Sequence, residues 1–267
     1  MKRAFLFPGQ GAQYVGMGAS SPTGKLAFPF YYAARKILGF DLRQLCLKGP
    51  QNDLDRTENA QPAIFIASIV DFFERIMKGE YPDVCAGHSL GEWSSAFAAG
   101  CFPDFSTALR LVQARGKGMA EAQEKNSGGM IALRGVSEKE AFFFVRDYGV
   151  YIAAINGSRD ITLSGENKAL EYLLPVLRKK GILYKKLVIG CAAHSPCMQQ
   201  VADTLTYFFQ DVQFRDPRVP VVLGSTGRIS YSGEEIKQSL ICQLVRPVHW
   251  QKQVSAMLDF GVGEFVE

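Results

Sequence analysis

The stretch CAGHSLGEWSSAFAAG, residues 85–100, places a serine between two glycines where a short apolar run gives way to small residues. A G-x-S-x-G pattern in this context predicts a sharp turn from strand to helix, with the serine in a strained conformation at its apex. Gly87 and Gly91 let neighbouring backbone come close where a β-carbon would clash. Ser89 would lie at the N-terminus of the helix, where amide N–H groups stabilise developing negative charge. The stretch therefore predicts a nucleophilic serine on an α/β scaffold.

The composition is that of a globular enzyme without a membrane span. The chain has 267 residues, 47% of them hydrophobic and 21% charged, which is enough for one domain or one plus a smaller unit. No apolar run reaches the roughly 20 residues that cross a bilayer, and the apolar stretch before Pro8 is too short for a signal peptide. A net charge of +4 permits an acidic partner without indicating nucleic acid. Six cysteines with no C-x-x-C pair predict buried, reduced thiols in a cytoplasmic protein, rather than disulfides or a zinc site.

Hydrophobic periodicity predicts a main α/β domain that is interrupted once. The predicted elements of its first part are a strand at 3–7, a helix at 58–77 with Pro62 in its first turn, the serine turn at 83–100 and a helix at 107–123. Its last part contains the strand VVLGS, the helix EEIKQSLICQLV, and a further helix and strand that reach Glu267. We assign residues 1–127 and 192–267 to this catalytic domain.

After NSGG (126–129) the order of the predicted strands and helices changes. The segments MIALRGV, SEKEAFFFVRDYG, YIAAIN, DITLSG, NKALEYLLPVLRKKG and ILYKKLVIG follow the order strand-helix-strand-strand-helix-strand. The first of these helices opens with a capping pattern. This order is ferredoxin-like, so we predict an inserted ferredoxin-like α+β domain over residues 128–191.

A serine hydroxyl needs a base, and histidine is the usual one. Of the three histidines, His194 lies on a predicted loop that leaves the inserted segment. Alone it would be interpreted as a surface residue, but beside a nucleophilic serine it is the best candidate base. His88 adjoins the serine, points elsewhere and is interpreted as structural or pocket-lining, and His249 as a partly exposed helical residue. No acidic residue stands out as a third member, so a backbone carbonyl would have to fix the imidazole tautomer.

Six ordered segments resemble one family. They are FPGQGAQYVGMG (7–18), TENAQPAIF (57–65), GHSLGEWSSAFAAG (87–100), QARGKGM (113–119), HSPCM (194–198) and QLVRPVHW (243–250). In order and approximate spacing they resemble the malonyl-CoA:acyl carrier protein transacylases, the stand-alone relatives of fatty-acid and polyketide synthase acyltransferase domains. The resemblance covers essentially the whole chain. It implies a hydrolase-like α/β core with a parallel sheet and a nucleophile elbow, and a ferredoxin-like insertion.

The resemblance also implies the reacting groups. Ser89 would be the acylated nucleophile and His194 the general base and acid. Gln243 would orient the imidazole through its main-chain carbonyl. The backbone N–H groups of Gln10 and Leu90 would form the oxyanion hole, and the glycines that flank Gln10 would let its amide point into the site.

For the substrate, the resemblance implies a role for Arg115 as the partner of a carboxylate. Desolvating an unpaired carboxylate is very costly, and a guanidinium binds both of its oxygens. An arginine in an amphipathic helix is otherwise a solvated surface residue, but the glycines at 116 and 118 favour close packing and burial. Gln61 and His88 would also contact the substrate.

The implied reaction moves a malonyl group from malonyl-CoA to the phosphopantetheine thiol of acyl carrier protein, through an acyl-serine. It needs no metal or other cofactor, and its partners are the carrier protein and a coenzyme A thioester, with no nucleic acid and no membrane. The basic residues RKK (178–180) and Lys185-Lys186 are candidates for docking an acidic carrier protein, or are ordinary solvated side chains.

Several departures and rivals stay open. Ala193, before the histidine, stands where malonyl-selective relatives often carry phenylalanine. Transfer of methylmalonyl or another acyl group in a polyketide pathway is therefore an alternative to malonyl transfer in fatty-acid biosynthesis. Trp93 replaces the family's tyrosine or glutamine, with no clear effect. The family usually continues beyond this sequence with a glycine-rich turn and a helix, so the sequence is either part of a chain or a short member. Rivals from other classes are a serine thioesterase or esterase, which has no use for Arg115, and a non-catalytic carrier-binding scaffold.

Overall fold

The computed structural model describes residues 1–18, 24–125 and 128–267, which form two β-sheets covered by helices. The first part of the chain contains β1 (Lys2–Phe7), α1 (Gly24–Leu38), α2 (Leu42–Lys48), α3 (Gln51–Asp55), α4 (Thr57–Met77), β2 (Val84–Gly87), α5 (Leu90–Ala98) and α6 (Phe105–Lys125). The middle part contains β3 (Gly128–Arg134), α7 (Glu138–Tyr148), β4 (Tyr151–Gly157), β5 (Asp160–Glu166), α8 (Asn167–Lys179) and β6 (Leu183–Lys186). The last part contains α9 (Gln199–Phe209), β7 (Val221–Val222), β8 (Ile229–Ser230), α10 (Gly233–Cys242), α11 (Trp250–Asp259) and β9 (Val262–Val266), with 3₁₀ turns at Pro196–Met198 and Gln243–Val245.

The larger sheet has the strand order β8-β7-β2-β1-β9 among the described residues. Its neighbouring strands are parallel except for β7 and β8, so the predicted α/β fold with a parallel-containing sheet is confirmed. Phe7 pairs with Gly87 at the ends of β1 and β2. Because parallel strands end at the same sheet edge, the loop after β1 and the serine turn after β2 lie side by side.

Helices α4, α5 and α6 pack together over this sheet and bury its main core. Phe65 on α4 is fully buried, and its ring contacts Phe97 and Phe105. Burying one such side chain is worth about 1.5–3 kcal/mol, so this cluster holds the helices that carry the site. The prediction that Pro62 lies in the first turn is wrong, because α4 begins at Thr57 and Pro62 is its sixth residue, inside the helix.

The smaller sheet is antiparallel, with the order β4-β5-β3-β6. It has its own core of buried residues from β3, β5, α7 and α8, among them Leu133, Leu163 and Leu173. The predicted capping pattern is confirmed, because the Ser137 and Glu140 side chains each bond the other's backbone N–H. The predicted boundary at NSGG begins with residues 126–127, which lie outside the described residues, and β3 begins at Gly128.

The two sheets meet where the backbone before α11 pairs with β4. The Val248 N–H donates to the Ala153 carbonyl at 2.9 Å, and the Ile155 N–H donates to the Val248 carbonyl at 2.8 Å. The helix predicted through QLV ends at Cys242, and Gln243 begins a 3₁₀ turn instead. Within this turn the Gln243 carbonyl accepts only a long hydrogen bond, 3.4 Å, from the Arg246 N–H, so its oxygen can also accept from a side chain at the site.

Two further expectations concern the cysteines and the membrane. Four cysteines are buried as free thiols (46, 85, 101 and 191), whereas Cys197 is exposed, so the prediction of buried thiols is wrong there. Cys197 follows Pro196 in the 3₁₀ turn, and its side chain is not directed into the core. Within the described ranges, no helix combines the length and apolar character that a bilayer span requires.

Candidate active site

The serine turn between β2 and α5 is shaped by its two glycines. A β-carbon on Gly87 would lie 2.0 Å from the Gly91 carbonyl carbon, and one on Gly91 would lie 1.9 Å from the Phe7 oxygen. Only glycine permits these approaches, so both are required by packing. Ser89 has φ 54° and ψ −108°, a conformation that L-residues rarely adopt. It stands directly before α5, as the sequence pattern predicted.

A hydrogen-bonded relay connects Ser89 to the 3₁₀ turn after α10. Ser89 Oγ lies 2.8 Å from His194 Nε2, and His194 Nδ1 lies 2.7 Å from the Gln243 carbonyl oxygen. A carbonyl only accepts, so Nδ1 carries the hydrogen and Nε2 accepts from the serine hydroxyl. Burial, and then the nearby Arg115 charge, lower the pKa of His194 to about 3. The imidazole is therefore neutral at neutral pH and free to take a proton.

Arg115 projects from α6 into the same site and is 1% exposed. Its Nη2 donates to Ser89 Oγ at 3.0 Å and to Gln243 Oε1 at 3.1 Å, and its Nη1 donates to Gln61 Oε1 at 2.6 Å. Burial lowers the pKa of Arg115 to about 10, so the guanidinium stays charged at neutral pH. All of these partners are neutral oxygens. The arrangement leaves a buried positive charge beside the nucleophile that an anion can neutralise.

The segments that carry the two candidate oxyanion amides adjoin each other. Leu90 begins α5, and the first N–H groups of a helix have no intrahelical partner. Gln10 follows Gly9, where an added β-carbon would lie 2.5 Å from the His88 carbonyl oxygen. The loop after β1 is therefore packed directly on the serine turn. The Gln10 side chain accepts from Thr57 Oγ1 at 2.9 Å.

Gln61 and His88 have different surroundings. Gln61 is fully buried and bridges the site, since its Oε1 accepts from Arg115 and its Nε2 donates to Thr57 Oγ1 at 2.8 Å. His88 Nε2 lies 3.0 Å from Asn156 Oδ1, and its ring packs against Trp250. His88 lines a separate cleft of about 500 Å³ beside the loop after β1. The structure thus brings Gln61 to Arg115, and His88 to the smaller sheet.

The third histidine, His249, and the two residues that differ from the family pattern, Ala193 and Trp93, are each at least partly buried. His249 is half-buried and precedes α11. Ala193 is buried directly before His194, so only a methyl group stands beside the base at that position. Trp93 is fully buried in the core and packs against Phe102 and Phe209.

Sequence reasoning missed Glu92 and Thr57. Glu92 is fully buried, and its Oε2 accepts from Gln243 Nε2 at 2.8 Å. Burial raises the pKa of Glu92 to about 7. Thr57 links Gln61 to Gln10 through its hydroxyl. A charged residue within a helix of small and apolar residues was the available signal for Glu92, whereas nothing in the sequence around Thr57 distinguishes it from the other six threonines.

A larger cleft of about 670 Å³ opens beside Gln10 and Thr57. Residues of the smaller sheet, among them Gly129 and Lys186, line one side of this cleft, and residues of α6 line the other. The cleft therefore reaches Gln10 and Thr57, which are hydrogen-bonded to each other at the edge of the candidate site.

The sequence is similar to one protein family and to individual members of it over nearly its whole length. The pattern of the acyl transferase domain family matches residues 4–267. The chain is 34% identical over 99% of its length to the polyketide biosynthesis protein ThaF of Burkholderia thailandensis, of which it spans only 23%. It is 33% identical over 99% of its length to the malonyl CoA-acyl carrier protein transacylase of Escherichia coli K12, of which it spans 87%.

A solved structure extends the likeness to three dimensions. It is a type II polyketide synthase acyl-carrier protein in complex with its malonyl-transacylase, PlMCAT:AntF. The match has a TM-score of 0.94 at 32% identity and covers 100% of this chain and 88% of that one. Sequence pattern, full-length identity and backbone thus agree over the same residues. The chain belongs to the acyl transferase domain family, among the malonyl CoA-acyl carrier protein transacylases.

Proposed function

We propose that the protein transfers a malonyl group from malonyl-CoA to the phosphopantetheine thiol of an acyl carrier protein, through an ester on Ser89. The observation that carries this proposal is the buried Arg115 guanidinium, whose Nη2 lies 3.0 Å from Ser89 Oγ. A malonyl thioester ends in a free carboxylate, and a fixed cation beside the nucleophile neutralises that charge. The relatives named as malonyl CoA-acyl carrier protein transacylases support the same substrate and partner.

In the first step, Ser89 Oγ attacks the thioester carbonyl carbon and its proton passes to His194 Nε2. The 2.8 Å contact between these atoms supports this transfer. The carbonyl oxygen becomes an oxyanion held by the Gln10 and Leu90 N–H groups, which act as preorganised donors. When the tetrahedral intermediate collapses, the carbon–sulfur bond breaks and the leaving thiolate of coenzyme A takes the proton from His194.

In the second step, the carrier thiol attacks the acyl-serine carbonyl carbon and gives its proton to His194. The ester bond to Ser89 then breaks, and His194 returns the proton to the serine oxygen. The hydrogen bond from Nδ1 to the Gln243 carbonyl, 2.7 Å long, keeps the imidazole in the required tautomer in both directions. The side chains and amides named here handle every charge in the cycle, so we propose that no metal or redox cofactor takes part.

The same proposal assigns the substrate contacts. Arg115 pairs with the malonyl carboxylate, and Gln61 holds the guanidinium through its Oε1. His88 lines the neighbouring cleft, from which it can contact the rest of the substrate. The wall beside the base at position 193 is a methyl group, so methylmalonyl is the second candidate acyl group.

We also propose a finer description of the fold. Residues 1–127 and 192–267 would form a hydrolase-like catalytic domain, and residues 128–191 a ferredoxin-like domain inserted into it. The parallel pairs of the larger sheet and the turn at Ser89 support the first assignment. The order β4-β5-β3-β6 and the alternation of β3 to β6 with α7 and α8 support the second. The cytoplasmic location stays a prediction.

The decisive test is direct detection of the acyl-enzyme. After incubation with malonyl-CoA, intact-protein mass spectrometry should find a malonyl adduct on the wild type and none on Ser89→Ala. Added carrier protein should remove the adduct faster than water does. A malonyl adduct on Ser89→Ala would place the nucleophile elsewhere, and release of free malonate faster than transfer would indicate a hydrolase. Methylmalonyl-CoA in the same assay tests the second acyl group.

A further inference from the structure

Glu92 is a buried carboxylate that the proposed reaction does not use. It lies on α5, three residues after the nucleophile, and is fully buried. Its Oε1 accepts from Ser239 Oγ at 2.6 Å and from the Gly224 N–H at 3.0 Å, and its Oε2 accepts from Gln243 Nε2 at 2.8 Å. Both oxygens therefore face donors. An ionised carboxylate satisfies such a set, because it accepts at both oxygens. These three hydrogen bonds and the nearby Arg115 charge favour the ionised form and oppose the burial that raises the pKa of Glu92.

Gln243 meets three different partners through three of its groups. Its Nε2 donates to Glu92, its Oε1 accepts from Arg115 Nη2 at 3.1 Å, and its main-chain oxygen accepts from His194 Nδ1 at 2.7 Å. The two ends of a side-chain amide are opposite in kind. Anchoring the NH₂ end on a carboxylate therefore fixes the oxygen end toward the guanidinium. A reversed amide would direct its N–H groups at Arg115, donor against donor.

We propose that Glu92 is a positioning residue that fixes the Gln243 side chain, and through it the Arg115 guanidinium that receives the malonyl carboxylate. This inference rests on the proposed function and deepens it, because it names what holds the specificity cation in place. Glu92 and Ser89 are three residues apart at the start of one helix, so the nucleophile and the support of the cation move together. The pairing also steadies the turn whose carbonyl orients His194.

The variant Glu92→Gln tests this with little change of shape. An amide at position 92 must direct its NH₂ end either at the Gly224 N–H and Ser239 or at Gln243, so at least one donor loses its acceptor. We expect the rate of Ser89 acylation by malonyl-CoA to fall about tenfold or more. The rate with acetyl-CoA, which has no carboxylate for Arg115, should fall less. The malonyl-to-acetyl ratio therefore drops, whereas a general loss of folding would lower both rates equally.

A double-mutant cycle with Gln243→Ala shows whether Glu92 acts through Gln243. In that background, Glu92→Gln should change malonyl acylation by less than about twofold, because the shared partner is gone. Ser94→Ala is the matched control, since Ser94 is buried on the same helix and its hydroxyl has no hydrogen-bond partner among the described residues. It should keep the wild-type ratio.

Glu92→Asp provides a second variant should Glu92→Gln fail to fold. It keeps the charge but withdraws the carboxylate by one methylene, so it should also lower the ratio. A wild-type malonyl-to-acetyl ratio in Glu92→Asp or Glu92→Gln overturns the proposal. So does a double variant whose loss of malonyl acylation equals the product of the losses in Glu92→Gln and Gln243→Ala, because the two residues would then act independently. Failure of the wild type to form a malonyl adduct would overturn the proposed function instead, so the two failures are distinguishable.

Discussion

Arg115 and His194 lie in the same buried site but must have different charge states for the proposed reaction. The guanidinium must stay charged to attract a carboxylate, and the imidazole must stay neutral to accept a proton. The first condition favours the second, because the Arg115 charge adds to burial in lowering the pKa of His194 to about 3. In the proposed reaction, a malonyl carboxylate that pairs with Arg115 would weaken that opposition, so the imidazole would accept a proton more readily. The substrate would then help to activate the proposed base.

This coupling predicts the titration of His194. The imidazole should remain neutral at about pH 5, where an ordinary histidine with a pKa near 6.5 is mostly protonated. Arg115→Ala should raise the pKa of His194, although not to its ordinary value, because burial is the larger cause. Nitrogen-15 NMR of labelled imidazoles, assigned with single-histidine variants, measures both values. Titration of the wild-type residue near pH 6.5 would contradict the buried relay.

The same shift has a consequence for stability. The folded protein holds His194 unprotonated between about pH 6.5 and 3, while the unfolded chain binds a proton there. The contribution of His194 to the free energy of unfolding therefore falls as the pH is lowered through this window.

Removing the guanidinium should separate two substrates. Breaking a buried charge pair by deleting one partner costs about 3–5 kcal/mol, so Arg115→Ala should slow malonyl acylation by two or more orders of magnitude. Acetyl acylation should change little. Arg110→Ala, an exposed arginine on the same helix, is the control and should resemble the wild type. Equal losses with both acyl groups would make Arg115 a structural residue.

At the scale of elements, the close contact between α5 and β1 depends on Gly91. An alanine there would place its β-carbon 1.9 Å from the Phe7 oxygen, so the helix or the strand must shift. We expect Gly91→Ala to lower the free energy of unfolding by about 3 kcal/mol or more in denaturant titrations. In Gly157→Ala the new β-carbon meets only the Asp160 side chain at 3.8 Å, and the change should stay under about 1 kcal/mol. Similar losses in both variants would refute the packing argument.

The elements that could be predicted from sequence are those with strong local signals. The serine turn, α4, α6 and the capped helix α7 follow from glycine spacing, hydrophobic periodicity and the Ser137–Glu140 pair. Other elements depend on tertiary contacts and were not predicted. Helices α1 to α3 and the two-residue strand β8 are examples, and so is the end of α10 at Cys242.

The candidate site divides in the same way. Ser89 and its base stand out because a serine turn and few histidines narrow the choice. Glu92 joins the site through Gln243, 151 residues away, and Thr57 bonds Gln10, 47 residues away, as well as Gln61 on its own helix. No local pattern specifies the two distant pairs. The dual use of Gln243, with its main chain toward His194 and its side chain toward Arg115, likewise requires the folded turn.

At the scale of the whole molecule, the candidate site lies near the junction of the two sheets, and exposed lysines stand on β6 and at the end of α8. Strand β6 is an edge strand with exposed Lys185 and Lys186, and Lys186 lines the larger cleft beside Gln10. Lys179 and Lys180 are exposed at the end of the neighbouring helix α8. An acidic carrier protein that docks on these lysines would lie beside the cleft that reaches Gln10.

Charge reversal tests this docking surface. Lys185→Glu combined with Lys186→Glu should raise KM for the carrier protein several-fold and leave KM for malonyl-CoA nearly unchanged, because long-range charge attraction chiefly affects association. The effect should shrink as salt is added. Lys78→Glu, at an exposed position after α4, is the control. An unchanged KM for the carrier protein would locate the docking surface elsewhere.

The positive φ angles at the proposed nucleophile and base set a limit on the stability of the whole protein. Ser89 at 54° and His194 at 60° are the two non-glycine residues with this backbone geometry in the described part of the chain. Each such conformation costs on the order of 1–3 kcal/mol, which the surrounding framework must absorb. Selection for thermal stability alone would favour glycine at both positions, which would remove the proposed nucleophile and base. Activity and thermal stability therefore conflict at positions 89 and 194, and stabilising substitutions should be made at other positions.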